Sequence, residues 1–248
     1  MSAFQVTTSW DDGHRLDLRV ADLLDQYGLT GTFYIARDYL DERLTEDEIG
    51  ALARRHEVGA HTLSHPVLTG IDAAAAREEI DGSRRWLQTI TGTPVTAFCY
   101  PRGETNSTVR QMVAEAGFEV ARIVTQYRLD TGDDPFLLPT TLHVYPFPFR
   151  PVRSWRARFQ PLQRALPHWL RLGLPLTALR DWSTLATTLL ERAARNSGVW
   201  HLWGHSWEIE RYGMWDELEQ VLAAVRRYPQ ARPVTNSQLV REKRPAKP

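Results

Sequence analysis

What most narrows the folds open to this chain is a recurring order: a short apolar strand, then an amphipathic helix, at short connections. Phe4 to Trp10 alternates as a strand does, and Gly13 ends it. Leu16, Val20, Leu23 and Leu24 follow at helical spacing up to Tyr27-Gly28, where glycine suits a C-cap. Residues 30–35 predict a second strand, Thr45 and Glu48 a capping box for a helix over 45–55, and residues 57–60 a third strand. Asp72 caps a helix through Leu87, residues 94–100 read as a strand, Asn106 opens a helix to Ala116 that Gly117 closes, and 118–124 is a strand again. Strands at 139–145 and 199–203 follow, with helices at 181–196, capped by Asp181, and at 215–227. Such alternation implies parallel strands joined by crossover helices, and about seven β units favour an α/β barrel over an open Rossmann sheet.

The 248 residues, 42% hydrophobic, suffice for one sizeable core, and no mid-chain linker breaks them, so residues 1–240 are expected to form a single domain. Thirty basic residues balance thirty acidic ones, so no net field recruits nucleic acid. The single cysteine, Cys99, excludes an intramolecular disulfide framework and a cysteine-built zinc cluster, and suits a reducing compartment. Neither a signal peptide nor an apolar run of about 18 residues is evident, so the expectation is a cytoplasmic protein. Phosphate-cradling GxGxxG and P-loop patterns are absent.

Two adjacent carboxylates, Asp11 and Asp12, stand at the end of the first strand, where α/β barrels build their sites. Like charges this close repel unless a cation intervenes, and a metal ion is the economical one. The same residues also suit a turn at Asp12-Gly13 with Asp11 as a helix N-cap. His61 and His65, four apart between Gly59 and Pro66, belong on a tight turn after the third strand. Two imidazoles and a carboxylate on one divalent ion leave positions open for water and substrate. The alternative is a strand-capping His61 and a surface His65. On the 199–203 strand, residues 201, 203 and 205 share a face, which puts His205 at the rim and His201 deeper, as a core histidine. Trp203 and Trp207 are core residues or, exposed at a rim, a face for a sugar. Gly204-His205-Ser206-Trp207-Glu208 also looks like a nucleophile elbow around Ser206, but Glu208 replaces the glycine that such a turn needs.

In order, TSWDDG with Asp11-Asp12, His61 and His65 in HTLSH, Tyr100-Pro101-Arg102-Gly103, and the strand ending at His205 resemble the motifs of polysaccharide deacetylases, the NodB-homology (carbohydrate esterase 4-like) family, over roughly residues 4–208. The resemblance implies a distorted (β/α)7 TIM-like barrel. It implies one divalent metal, zinc first with cobalt, nickel or manganese as substitutes, on Asp12, His61 and His65. It further implies Asp11 as general base toward a water activated by the ion, His205 as the acid for the departing amine, and the backbone amide of Arg102 as oxyanion donor. Tyr100, Trp203 and Trp207 fall among the substrate-binding positions. The reaction implied is removal of an N-acetyl group from an amino sugar or an oligo- or polysaccharide.

Two positions depart from the pattern. Cys99 stands where the family's third motif has an arginine that orients the base, and the fourth-motif aspartate, expected near 119–127, is missing. Arg122, if it faces inward, supplies the lost positive charge; Glu208, three residues after His205, orients that imidazole. Otherwise Arg122 pairs with a helix carboxylate and Glu208 is solvated. These departures keep open hydrolysis of another C–N amide, formyl or cyclic, and a barrel that only binds saccharide. Outside the pattern lies a basic, aromatic insertion at about 146–180: no acidic residue occurs from Pro135 to Arg180, while seven arginines alternate with Trp155, Phe159, Trp169 and many leucines. Its prolines predict short helices. It is read as a lid over an anionic or lipid-linked sugar, a contact with an anionic membrane, or a packed excursion or dimer contact; the oligomeric state is open. Residues 241–248 are expected to be a disordered basic tail.

Overall fold

The computed structural model describes residues 3–243. In chain order it contains β1 (Phe4–Asp12), α1 (Asp17–Gln26), β2 (Gly31–Ile35), α2 (Glu46–Ala53), β3 (Glu57–Ala60), α3 (Ala73–Thr91), β4 (Ala97–Cys99), α4 (Ser107–Glu115) and β5 (Val120–Arg122). Then follow β6 (Leu142–His143), α5 (Trp155–Leu172), α6 (Trp182–Arg195), β7 (Val199–Gly204), α7 (Ser206–Tyr212), α8 (Trp215–Val225), β8 (Ala231–Pro233) and α9 (Asn236–Lys243). Every strand pair is parallel, in the order β5-β4-β3-β2-β1-β7-β6. β2 joins β1 only from Thr8 onward, and β8 fills the place beside Phe4 to Val6. The sheet curls into the distorted (β/α)7 barrel expected. One segment bridges its open side: Leu138 N–H donates to Ala121 O, Thr141 N–H to His201 O, and Leu142-His143 pairs with Leu202-Trp203.

The expected helix starts are found. Thr45 and Glu48 form the capping box, and Asp72, Asn106 and Asp181 accept backbone N–H groups at their helix N-termini. Between helices and sheet, Leu24, Phe33, Phe98 and Trp200 are fully buried, each contributing about 1.5–3 kcal/mol. No helix among the described residues is long and apolar enough to cross a membrane.

Three expectations are corrected. The strands at 118–124 and 139–145 shrink to β5 and β6, because the bridging segment divides its hydrogen bonds between β5 and β7. The insertion is not broken into short helices: α5 runs for 18 residues through Pro161 and Pro167. Each proline removes one helical bond, but anchors beyond them hold the helix: Trp169 Nε1–H donates to Pro175 O, Arg171 donates to Tyr127 O, and Gly173 closes it. At the C-terminus, Arg241 to Lys243 belong to α9, with Arg241 on Glu119 and Glu242 on Arg232. The rest of the predicted tail, 244–248, lies outside the described residues.

Candidate active site

Asp11 and Asp12 leave β1 at its C-terminal end, and the chain turns at once. Asp12 (φ 81°) and Gly13 (φ 75°) both adopt left-handed conformations, and a Cβ on Gly13 would lie 2.6 Å from Ile35 Cγ2. Asp11 caps no helix, since α1 begins at Asp17. After β3 the chain makes the tight turn expected, with Thr62 (φ 68°) and His65 (φ 60°) left-handed as well. Thr62 Oγ1 accepts the His65 N–H, and Glu79 on α3 ties down the turn by accepting from Leu63 N, Ser64 N and Ser64 Oγ. Backbone strain thus gathers where two ligand candidates must converge.

They do converge. His61 Nε2 and His65 Nε2 are 3.1 Å apart, and each lies 3.7 Å from Asp12 Oδ1. Ligands about 2.0–2.2 Å from a common ion are separated by roughly 3–3.5 Å, so the triangle has nearly the size that a divalent metal needs. Asp12 Oδ1 is buried without a hydrogen-bond partner, while Oδ2 accepts from Trp207 Nε1 at 2.9 Å. His61 Nδ1–H donates to Cys99 O at 2.7 Å, which leaves Nε2 as the lone pair. Burial pulls both imidazoles below the ordinary histidine value, His65 to about 4 with His61 beside it adding to the effect. Both are therefore neutral, as metal ligands must be. His65 is no surface residue: it packs against His61, and Tyr39 stacks on it at 4.1 Å.

Asp11 is 3% exposed beside a fully buried Arg122. Arg122 Nη2 donates to Asp11 Oδ2 and lies 2.8 Å from Cys99 Sγ. Cys99 and Arg122 are register partners on β4 and β5, so the small thiol leaves room for the neighbouring strand's guanidinium. Burial would raise the Asp11 carboxyl, but Arg122, with His61 and His205, holds it below the usual value. The guanidinium lies 4.6 Å from the Trp203 ring centroid and 5.4 Å from that of Tyr34. Asp11 Oδ1 remains without a partner.

Across the cleft, His205 follows β7. Its Nδ1–H donates to Glu208 Oε2 at 2.6 Å, and its Nε2 is 3.9 Å from Asp12 Oδ2. Burial works against its charge, but the hydrogen bond to Glu208 and the carboxylates of Asp12, Glu208 and Asp11 raise His205 to about 9. Glu208 is held at about 2 against burial by His143 and His205. His143, which the sequence reading did not single out, donates from Nε2 to the same Glu208 oxygen at 3.1 Å. Only its place in a predicted strand hinted at it.

The remaining expectations divide. Trp207 and Arg102 (φ 58°) line a cleft of about 360 Å³ that also contains Asp11, Asp12, His61, His65 and His205. Trp203 borders it too, but is 5% exposed, covered by His143 (4.0 Å, 12° between planes) and Arg122, and so offers no open face to a sugar. Tyr100 is fully buried against Phe98 and does not line the cleft, so its substrate-binding assignment is corrected: the chain turns outward only at Pro101. His201 is the core histidine expected, bonded to Ser9 Oγ and Pro139 O. Ser206 is buried and donates to Asp17 Oδ1 at 2.5 Å, so it is no exposed nucleophile.

The family model for polysaccharide deacetylase matches residues 2–121. Over nearly the whole chain the fold is similar to solved structures. One is a Mycobacterium smegmatis protein described as a polysaccharide deacetylase (TM-score 0.66, 19% identity, 97% of this chain and 90% of that one). A second is the Bc1960 peptidoglycan N-acetylglucosamine deacetylase (0.61, 17%, 95% and 87%). A third is a family 4 acetyl xylan esterase from Clostridium thermocellum with a cobalt ion (0.60, 19%, 96% and 91%). No curated protein sequence matches. The first half of the chain is thus similar to the polysaccharide deacetylase family model, and its fold is shared with these structures over nearly its whole length.

Proposed function

We propose that this protein is a metal-dependent deacylase that removes an N-acetyl group from an amino sugar or a saccharide containing one. The observation that carries the reading is the convergence of Asp12 Oδ1, His61 Nε2 and His65 Nε2 within 3.1–3.7 Å, with a restrained carboxylate and a restrained imidazole in the same cleft. These three residues fit a divalent ion, zinc first by its preference for nitrogen and oxygen donors, and such an ion supplies an acidified water and a polarised acyl carbonyl. Asp11, kept ionised by Arg122, takes the proton of the attacking water on its unpartnered Oδ1. The backbone N–H of Arg102 donates to the developing oxyanion. His205, held by Glu208, delivers a proton to the departing nitrogen, which an amide needs because an unprotonated amine leaves poorly. Arg122 thus takes the place of the arginine that Cys99 displaces, and Glu208, with His143, that of the missing aspartate.

Metal content by plasma mass spectrometry, beside acetate release from N-acetylated sugars, tests this. Near-stoichiometric metal in the wild type and none in Asp12→Ala/His61→Ala is expected, with a rate about 10²–10⁴-fold lower in His205→Ala. Formate release from N-formyl sugars alone would move the substrate to another C–N amide. Saccharide binding that survives His205→Ala, with no turnover in the wild type, would leave a binding barrel. Failure to hold any of zinc, cobalt, nickel or manganese refutes the centre.

A further inference from the structure

We propose that the cleft carries a second subsite, formed by Arg102, Arg150 and Arg164, that binds a phosphate or carboxylate group on the sugar to be deacylated; it rests on the reading of the cleft just given. All three arginines line the same cleft as Asp12, His61 and His65. Arg55, Arg77, Arg110 and Arg128 each pair with a carboxylate, whereas these three pair with none among the described residues. Arg150 Nε is shut off from solvent with no hydrogen-bond partner, its guanidinium 5.0 Å over the Tyr145 ring. A buried donor without an acceptor is costly, so an arriving acceptor gains more there than at a solvated arginine. The cleft's own carboxylates are engaged: Asp11 by Arg122, Glu208 by His205 and His143, and Asp12 by Trp207 on one oxygen and the candidate ion on the other. Gln126 accepts the His143 N–H on its oxygen, so it presents amide N–H donors. Planar guanidinium forks match phosphate and carboxylate oxygens in pairs. Arg150 and Arg164 also line a small neighbouring pocket walled by Tyr127, Leu142 and Phe147.

The test is calorimetric binding of N-acetylglucosamine 1-phosphate, N-acetylglucosamine and inorganic phosphate to the metal-loaded wild type, to Arg164→Met, to Arg150→Met/Arg164→Met and to Asp12→Ala. The phosphorylated sugar should bind the wild type roughly tenfold or more tighter than the neutral one. Both arginine variants should lose that ratio and Asp12→Ala should keep it; Arg164 is exposed, so its single variant reports even if the double one misfolds. Equal binding of the two sugars overturns the subsite, as does a ratio lost only in Asp12→Ala, which puts the anion on the metal. If neither sugar binds, inorganic phosphate decides: arginine-dependent binding supports the subsite, none overturns it. Arginine-dependent anion binding with no release of acetate or formate keeps the subsite and removes the deacylase reading.

A different surface carries a second inference: the structure assigns the outer face of α5 to contact with an anionic lipid surface. Among the described residues, all the exposed large apolar side chains except Tyr39 lie between residues 149 and 176. On α5, Trp155, Phe159, Leu166 and Leu170 project within a sector of about 60°, Trp155 being 65% and Leu170 69% exposed. Charge selects the occupant. The segment from Pro135 to Arg180 has seven arginines and no carboxylate, so a second copy packed two-fold on this face would set arginine against arginine, whereas anionic headgroups complement it. Arg164 stands on the opposite side of the same helix and lines the cleft. Flotation with phosphatidylcholine vesicles, with and without phosphatidylglycerol, tests the wild type against Trp155→Ser/Leu170→Ser. Binding only to anionic vesicles, lowered roughly fivefold or more in the variant, is expected. No binding to either vesicle, binding that the variant leaves unchanged, or a concentration-dependent dimer abolished by the variant overturns it.

Discussion

Replacing Arg122 by methionine removes one partner of a buried ion pair and leaves the other in place. Asp11 is 3% exposed and Arg122 wholly buried, so nothing from solvent can substitute for the guanidinium. Uncompensated buried charges of this kind cost about 3–5 kcal/mol. At about 2–4 °C per kcal/mol for a chain of this size, the melting temperature should fall by roughly 6–20 °C. The pH dependence has a definite sign. In the wild type the Asp11 carboxyl is held low by Arg122, so its stabilisation is present above the unfolded value and is lost as pH falls through the folded one. In Arg122→Met burial is opposed only by His61 and His205, so the folded value rises above its wild-type position and protonation relieves part of the penalty: the deficit should be largest near pH 7 and shrink toward pH 4. Because Cys99 and Arg122 are register partners, moving the guanidinium one strand over, as Cys99→Arg with Arg122→Cys, should recover part of the loss. A double-mutant cycle should return a favourable coupling of about 0.5–3 kcal/mol. Urea denaturation of Arg122→Met and of the four proteins of the cycle at pH 7 and pH 4 measures all of this. A loss below about 1 kcal/mol, equal losses at both pH values, or strict additivity would refute the reasoning.

Four further outcomes are expected. His201 is buried neutral at about 3, by burial and by the nearby Arg122, against about 6.5 unfolded; its stabilisation is present above pH 6.5 and lost as pH falls toward 3. Wild-type stability should therefore drop by about 2–3 kcal/mol from this residue between pH 7 and 4.5, and urea titrations of His201→Gln should show that slope flattened. Glu208→Gln should lower kcat and move the basic limb of the pH–rate profile to lower pH, since His205 loses the partner that raises it to about 9; an unmoved limb would detach Glu208 from the acid. Chelation should lower the melting temperature of the wild type and leave that of Asp12→Ala unchanged, as scanning calorimetry can show. Gly13→Ala must adopt φ 75° with its Cβ 2.6 Å from Ile35 Cγ2; a loss of about 1–3 kcal/mol in stability and weaker metal retention in dialysis are expected.

Local chemistry makes much of this legible in the sequence. Thr45, Asp72, Asn106 and Asp181 announced helix starts because capping is a matter of a few adjacent residues. Asp11, Asp12, His61, His65 and His205 were visible because the roles of such groups confine them to strand ends and turns. Even the pairing of Arg122 with Asp11 was open to inference, since a buried carboxylate without a cation is an evident deficit. What escaped notice depends on partners far along the chain. Period-two alternation placed Trp203 on the inward face, but not the two groups that cover it, His143 and Arg122, which arrive from 60 and 81 residues away. Tyr39 stacks on His65 from a loop with no periodicity to read. The prolines of α5 do not break it because the anchors at Trp169 and Arg171, which no local pattern announces, hold the helix beyond them.

The bridging segment from Leu138 to His143 has a consequence for how the two halves of the chemistry can fail. It hydrogen-bonds to β5 at its start and to β7 at its end, and its last residue is the His143 that shares Glu208 with His205. The candidate ligand triangle, by contrast, is complete on β1 and the turn after β3, with β7 between β1 and this seam and β4 and β5 between β3 and it. A local opening at 138–143 would therefore disassemble the setting of the proposed proton donor while leaving the candidate ligands where they are. On the proposed reading, ion retention and turnover would then fail separately, and a variant that keeps its metal would still be silent.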